Sequence, residues 1–174
     1  VKDAVQTFNY QVSTLMTTNG QSPFISVCMY ISEKPEYERE TAILIEEFLK
    51  QRIAGLKNEY AVVATQTFPK LLYFLDENNT YPGSEYYWLT KLAAKSTALR
   101  MNPDVISVKK MKELYGYAFP PMGCRAFLSV FKDKNDEAIF YGRGNLGVCS
   151  INLPYAALES EGDITKFFKL LDEK

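Results

Sequence analysis

The chain has 174 residues, 47% hydrophobic and 14% aromatic, which is enough for one well-filled core and too apolar for disorder. A formal net charge of −1, with both signs spread along the chain, gives no electrostatic case for nucleic acid or anionic membrane as partner, and neither is expected. The longest apolar runs stop short of a membrane span, and no basic-then-apolar leader opens the chain, so a cytoplasmic protein is expected.

Residues 1–16 place Val1, Val5, Phe8, Val12 and Leu15 at helical spacing, with no initiator methionine and no cap ahead of them. A chain that starts inside a helix is expected to be a piece of a longer protein. Residues 17–23 form a polar turn that feeds a strand-like run, 24–30. After a solvated stretch at 33–38, Ala42, Ile45, Leu49, Ile53 and Leu56 make one apolar stripe, predicting a core-packing helix. Residues 61–64 are a short β-type run, and a second apolar run follows at 71–75. Residues 76–83 read as a loop, and Ser84 as the cap of a helix turning Trp88, Leu92 and Leu99 to one face. A strand is expected at 104–108 and a short helix at 109–114. Strand and helix alternate, which predicts an α/β fold with a largely parallel sheet.

Met122-Gly123-Cys124-Arg125 follows an aromatic, proline-bearing approach, residues 115–121. Glycine lets the backbone turn sharply before the thiol, and Pro120 and Pro121 stiffen the way in. Such a loop suits a reaction centre, and it equally suits a buried structural thiol. Residues 127–131 and 138–141 flank the charged stretch 132–137 as a hairpin would. Gly142-Arg143-Gly144-Asn145-Leu146-Gly147 matches G-x-G-x-x-G but runs into strand-like residues 148–151, where a dinucleotide loop would open a helix. Its glycines read instead as room for a bulky group near the backbone. Asn152-Leu153-Pro154 starts a short helix, and Asp163 begins the last one, 164–171. With no histidine, the chain has no Ser-His or Cys-His pair, and most zinc sites are excluded. Its three cysteines are widely spaced, as reduced thiols are; Cys28 and Cys149 lie in strand-like runs and read as core residues.

Taken in order, Thr18-Asn19-Gly20-Gln21-Ser22-Pro23-Phe24, Phe68-Pro69-Lys70-Leu71, Arg100-Met101-Asn102-Pro103-Asp104, Met122-Gly123-Cys124-Arg125 and the stretch from Gly142 to Pro154 resemble the central catalytic region of the anaerobic, class III ribonucleotide reductases, which are glycyl radical enzymes. The resemblance spans nearly the whole chain. It implies part of a ten-stranded α/β barrel with a finger loop threaded through its centre. Residues 1–174 would form a single domain of that barrel, without its N-terminal part or its C-terminal glycyl-radical part. Cys124 would become the thiyl radical that abstracts the 3′ hydrogen of a ribonucleoside triphosphate. Asn145, 21 positions on (145 − 124), would hold the ribose through an amide that donates and accepts without carrying charge. Gly142, Gly144 and Gly147 fit the close approach of loop and sugar, and Gly123 and Gly144 are counted among the substrate-binding residues. Gln21 and Ser22 fall where the family lines its substrate cleft, although both residue types are also ordinary in turns. Asn152 is either a simple cap or the start of a helix offering N–H groups to phosphates. Arg125 either reaches phosphate or pins the loop.

The resemblance implies no cofactor within this chain. It implies a glycyl radical, installed by an S-adenosylmethionine/iron-sulfur activase, and a zinc site, both in segments that this sequence does not match. The expected partners are the nucleotide, the remainder of the reductase, its activating enzyme, and a second copy through a homodimer contact or exposed sheet edges. Alone, the piece is expected to be inactive. Two alternatives stand beside this reading: another glycyl radical enzyme of the formate-lyase type, and a non-catalytic nucleotide-binding module on the same fold.

Overall fold

A computed structural model describes residues 1–123, 126–128, 130–142, 144 and 150–173. They fall into two units, Val1–Phe140 and Tyr141–Lys174. In the first, α1 (Lys2–Thr14) is followed by β1 (Ser26–Met29), α2 (Glu38–Ala54), β2 (Leu56–Lys57), β3 (Val63–Ala64) and β4 (Lys70–Leu75). Then come α3 (Glu77–Thr80), α4 (Tyr87–Arg100), β5 (Asp104–Ser107), α5 (Val108–Tyr115), β6 (Phe131–Lys132) and β7 (Ala138–Ile139). The second unit holds α6 (Leu153–Glu159) and α7 (Ile164–Asp172).

β4 is the centre of the larger unit. It pairs in parallel with β1 on one side, Ser26 opposite Lys70, and with β5 on the other, Leu72 opposite Asp104. Successive side chains of a strand point to opposite faces. Leu71 and Tyr73 therefore enter one core with Met29, Ala42, Ile45, Leu49, Leu89 and Ala93, beneath α2 and α4. Leu72 and Phe74 enter a second core with Ile106, Val108, Met111 and Phe119. All four are buried, as an unbroken apolar run in a parallel sheet covered on both faces requires. Each contributes roughly 2 kcal/mol of apolar transfer.

Several sequence expectations shift by one position or change partner. On α2 the buried stripe runs through Ala42, Ile45 and Leu49 to Arg52, with Ile53 only half-buried. Position 52 continues the i, i+4, i+7 series from Ile45, and its guanidinium finds carbonyl acceptors. On α4 the buried face is Leu89, Ala93 and Ser96, while Trp88 and Leu99 are exposed. Small residues there face the neighbouring helix α2. Ser84 is not the cap of α4, since its hydroxyl donates to the Tyr81 carbonyl. The run at 61–64 supplies only β3, which pairs antiparallel with β2 as a hairpin outside the main sheet. The loop at 76–83 contains α3, which Asp76 and Asn79 cap reciprocally. Cys28, expected in the core, is exposed: Val27 and Met29 face the helices, and it points to the other face of an edge strand. Desolvation, and then the nearby Glu33 carboxylate, raise its pKa above the ordinary thiol value. Cys149 lies outside the described residues.

The β2–β3 hairpin seats against the carboxyl end of α2 at Gly55. There φ is +71°, and an added Cβ would stand 2.7 Å from Val63 Cγ1 and 2.8 Å from the Ala64 carbonyl oxygen. Arg100 clamps the same helix end by donating from Nε and Nη2 to the Ile53 carbonyl, at 3.0 and 2.8 Å. Gly55→Ala therefore adds left-handed strain to a clash with backbone, and should cost about 2–4 kcal/mol in urea denaturation. An unchanged midpoint would show that the hairpin swings aside freely.

Candidate active site

Three of the motifs, far apart in the chain, meet at the amino ends of the parallel strands. Lys70 N–H donates to the Ile25 carbonyl at 2.8 Å, joining the entries of β1 and β4, and the Phe24 and Phe68 rings meet edge to face at 4.9 Å. Ahead of β1, Thr17 N–H donates to the Gln21 carbonyl (2.7 Å) and Gln21 N–H to Thr17 Oγ1 (3.2 Å), closing a turn in which Gly20 takes φ +74°. Gln21 and Ser22 are both exposed. Ser22 lines a recess of about 220 Å³ with Ser13, Thr65, Gln66, Thr67 and Phe68 among its walls. The recess offers hydroxyls, an amide and an aromatic ring.

The third motif ends at Asp104, the first residue of β5, whose Oδ2 lies 2.7 Å from Lys70 Nζ. Both side chains are more than four-fifths buried (17% and 18% exposed), so the pair ties β4 to β5 where solvent screens little. Arg52, which belongs to none of the motifs, supports this end from below. It is 1% exposed; Nη1 donates to the Gln66 carbonyl and Nη2 to the Pro69 carbonyl. Burial lowers its pKa to about 10. The signal that could have found it is the helical series from Ile45 and Leu49, read through a charged residue.

The described residues bracket the thiol loop. Met122 and Ala126 form an antiparallel bridge, with Met122 N–H to the Ala126 carbonyl at 2.8 Å and the return bond at 3.1 Å. Inside it Gly123 turns with φ +61°, as expected of a glycine before the thiol. Cys124 and Arg125 lie outside the described residues, as does Asn145. Both flanks of the loop sit on the Leu72–Phe74 face of the sheet. Phe119, 5% exposed, belongs to that core; its ring stacks on Phe140 (5.5 Å) and meets Tyr115 (5.5 Å) and Phe127 (6.3 Å) at steep angles. Pro121 is buried, and it walls a recess over β5 together with Phe127, Leu72 and Asp104.

In the smaller unit, Asn152 caps α6, its Oδ1 accepting from Tyr155 N–H at 3.0 Å, and Asp163 caps α7 through Thr165 and Lys166 N–H. No described atom lies within 4 Å of a Cβ built on Gly123 or Gly144. Among the described residues no three His, Cys, Asp or Glu side chains are placed to hold a metal ion, and no helix is long and apolar enough to cross a membrane.

At the opposite, carboxyl end of the sheet a cavity of about 850 Å³ is lined by Asp76, Asn78, Ser107, Lys109 and Lys112 among others. Tyr30 Oη donates to Asp76 Oδ2 at 3.0 Å there. Desolvation raises the Tyr30 pKa to about 12, helped by that hydrogen bond and by the Asp76 and Glu33 charges.

Two stability tests follow from these contacts. Lys70→Ala leaves Asp104 more than four-fifths buried without its ammonium, and should cost about 1–3 kcal/mol. Lys50→Ala removes an exposed i, i+4 partner of Glu46 and should leave the urea midpoint unchanged. Equal losses would deny the Lys70–Asp104 pair its special standing. For Tyr30, folding favours the neutral phenol, so its contribution is complete below pH 10 and is lost as pH rises towards about 12. Tyr30→Phe should make the alkaline loss of stability shallower across that window. Parallel curves for the two proteins would rule this out.

The chain was compared with known proteins. The family model described as anaerobic ribonucleoside-triphosphate reductase matches residues 1–174. Several relatives carry the name anaerobic ribonucleoside-triphosphate reductase. That of Escherichia coli K12 is 41% identical over 174 residues, covering 99% of this chain and 23% of the relative. That of enterobacteria phage T4 is 38% identical, covering 100% and 29%, and that of Haemophilus influenzae is 36% identical, covering 99% and 23%. The chain thus spans about a quarter of the length of the curated relatives it matches. These matches do not favour the formate-lyase alternative. With the motifs gathered at one end of a parallel sheet and a family match along its whole length, the chain belongs to the anaerobic ribonucleoside-triphosphate reductase family.

Proposed function

We propose that this chain is the part of an anaerobic ribonucleotide reductase that presents the radical thiol to the ribose of a ribonucleoside triphosphate, working in the cytoplasm. The supporting observation is that both flanks of the Cys124 loop are anchored to one face of the parallel sheet, through Phe119, Pro121 and Phe127. In this reading the three parallel strands are part of the family's ten-stranded barrel, residues 1–174 act as one domain of it, and the loop is its central finger. The glycyl radical implied by the family would lie in another part of the protein and would supply the oxidising equivalent, the thiol hydrogen of Cys124 passing to it. Cys124 as a sulfur radical then takes the 3′ hydrogen: an S–H bond forms, the C3′–H bond breaks, and the unpaired electron moves to C3′. Asn145 holds the ribose hydroxyls through its amide, a group that serves as donor and acceptor.

The remaining residues bind and orient. Ser22 brings a hydroxyl to a neutral, hydrogen-bonding recess beside Phe68, and Gln21 stands on the turn at its edge. Gly123 gives the loop its turn, and Gly144 leaves room for the sugar. Asn152, whose side chain caps α6, is counted in this reading among the substrate-binding residues. Zinc, the activase and the rest of the barrel are partners of the whole protein, which pairs as a homodimer; the piece alone does not turn over. In the intact, activated reductase, Cys124→Ser should lower deoxyribonucleotide formation by at least about 10³-fold, with the glycyl radical still visible by electron paramagnetic resonance. Turnover near the wild-type rate would overturn the assignment.

A further inference from the structure

We infer that Phe119 is a positioning residue for the radical thiol, acting through the loop it anchors; this rests on the function proposed above. Several contacts converge on its ring. It is 5% exposed and packs in one core with Leu72, Phe74 and Ile106, which belong to two neighbouring strands. The same ring meets Tyr115 on the approach, Phe127 beyond the loop and Phe140 on the following hairpin, with centroids 5.5, 6.3 and 5.5 Å away. Phe140 in turn meets Tyr117 at 5.5 Å. Both chain segments that enter and leave the Met122–Ala126 bridge therefore close on one aromatic side chain seated on the sheet.

A loop of this kind has few other restraints among the described residues. The bridge fixes the distance between its two ends, but two backbone hydrogen bonds do not fix where the pair stands above the sheet. The ring supplies that reference, because a packed core accepts only a small set of placements. Hydrogen transfer between sulfur and carbon depends steeply on approach geometry, and a displacement of about 1 Å can cost on the order of 10²-fold in rate. Phe119 has no polar atom in its side chain and is no substrate ligand, so its loss should appear in the chemical step and not in nucleotide binding.

The test uses the intact, activated reductase with ordinary and 3′-deuterated ribonucleoside triphosphate. Phe119→Leu keeps an apolar group of similar bulk but loses the ring contacts. It should lower kcat by about 10- to 100-fold, leave KM within about twofold, and raise the 3′ deuterium isotope effect as hydrogen abstraction becomes slower than the steps around it. Phe140→Leu, at a 41% exposed position, should shift the same quantities the same way by less, and carries the test if Phe119→Leu does not fold. A merely structural role predicts activity falling with the folded fraction and an isotope effect equal to wild type. That result in the variants overturns the positioning role alone, whereas a wild-type enzyme that fails to reduce the nucleotide overturns the function on which it rests.

Discussion

The double burial of β4 is the constraint on which the larger unit depends. Leu71 and Tyr73 point to the helices while Leu72 and Phe74 point to the thiol-loop side, so one strand carries the load of two cores. Such a strand cannot slip by one residue without exchanging its two faces, which pins the register of β1 and β5 as well. Everything placed relative to this sheet inherits that precision. The motif ends at Phe24, Phe68 and Asp104 are aligned because the strands they open are aligned, and the aromatic anchor at Phe119 has a packed floor in Leu72, Phe74 and Ile106.

The two ends of the sheet differ in chemistry. At the amino ends the cations are spent on structure: Arg52 holds the carbonyls of Gln66 and Pro69, Arg100 holds Ile53, and Lys70 holds Asp104. What remains open beside Ser22 is lined by hydroxyls, an amide and a ring, suited to neutral parts of a ligand. At the carboxyl ends the cavity mixes Lys109 and Lys112 with carboxylates.

Parallel strands joined by helices left two edges, β1 and β5, with Val105 54% exposed on the latter. α7 likewise exposes Ile164 and Phe168. Exposure of Cys28 belongs to the same pattern, since its strand lies at an edge and its side chain faces the loop side of the sheet.

Local physics made much of the protein legible before any coordinates. Helical spacing marked α1 and α2, the apolar run at 71–75 marked the central strand, charged residues at 132–137 marked the β6–β7 hairpin, and ordered motifs carried the family resemblance. Periodicity could not choose between adjacent faces of a helix. Arg52 took the buried place expected of Ile53, and Leu89, Ala93 and Ser96 took those expected of Trp88 and Leu99, while Leu92 still packs partly buried against the core, because the winning face is the one whose neighbours fit. Nor could it place residues 63–64 in a side hairpin, since a short β-type run pairs with whatever edge is nearest. The candidate site divides the same way: the motifs that hold Cys124, Asn145 and Ser22 were readable in the sequence, whereas the meeting of three motifs at one sheet end and of three aromatic rings around Phe119 was decided only by tertiary structure. Contacts between residues tens of positions apart depend on how the sheet aligns, and no local pattern encodes that alignment.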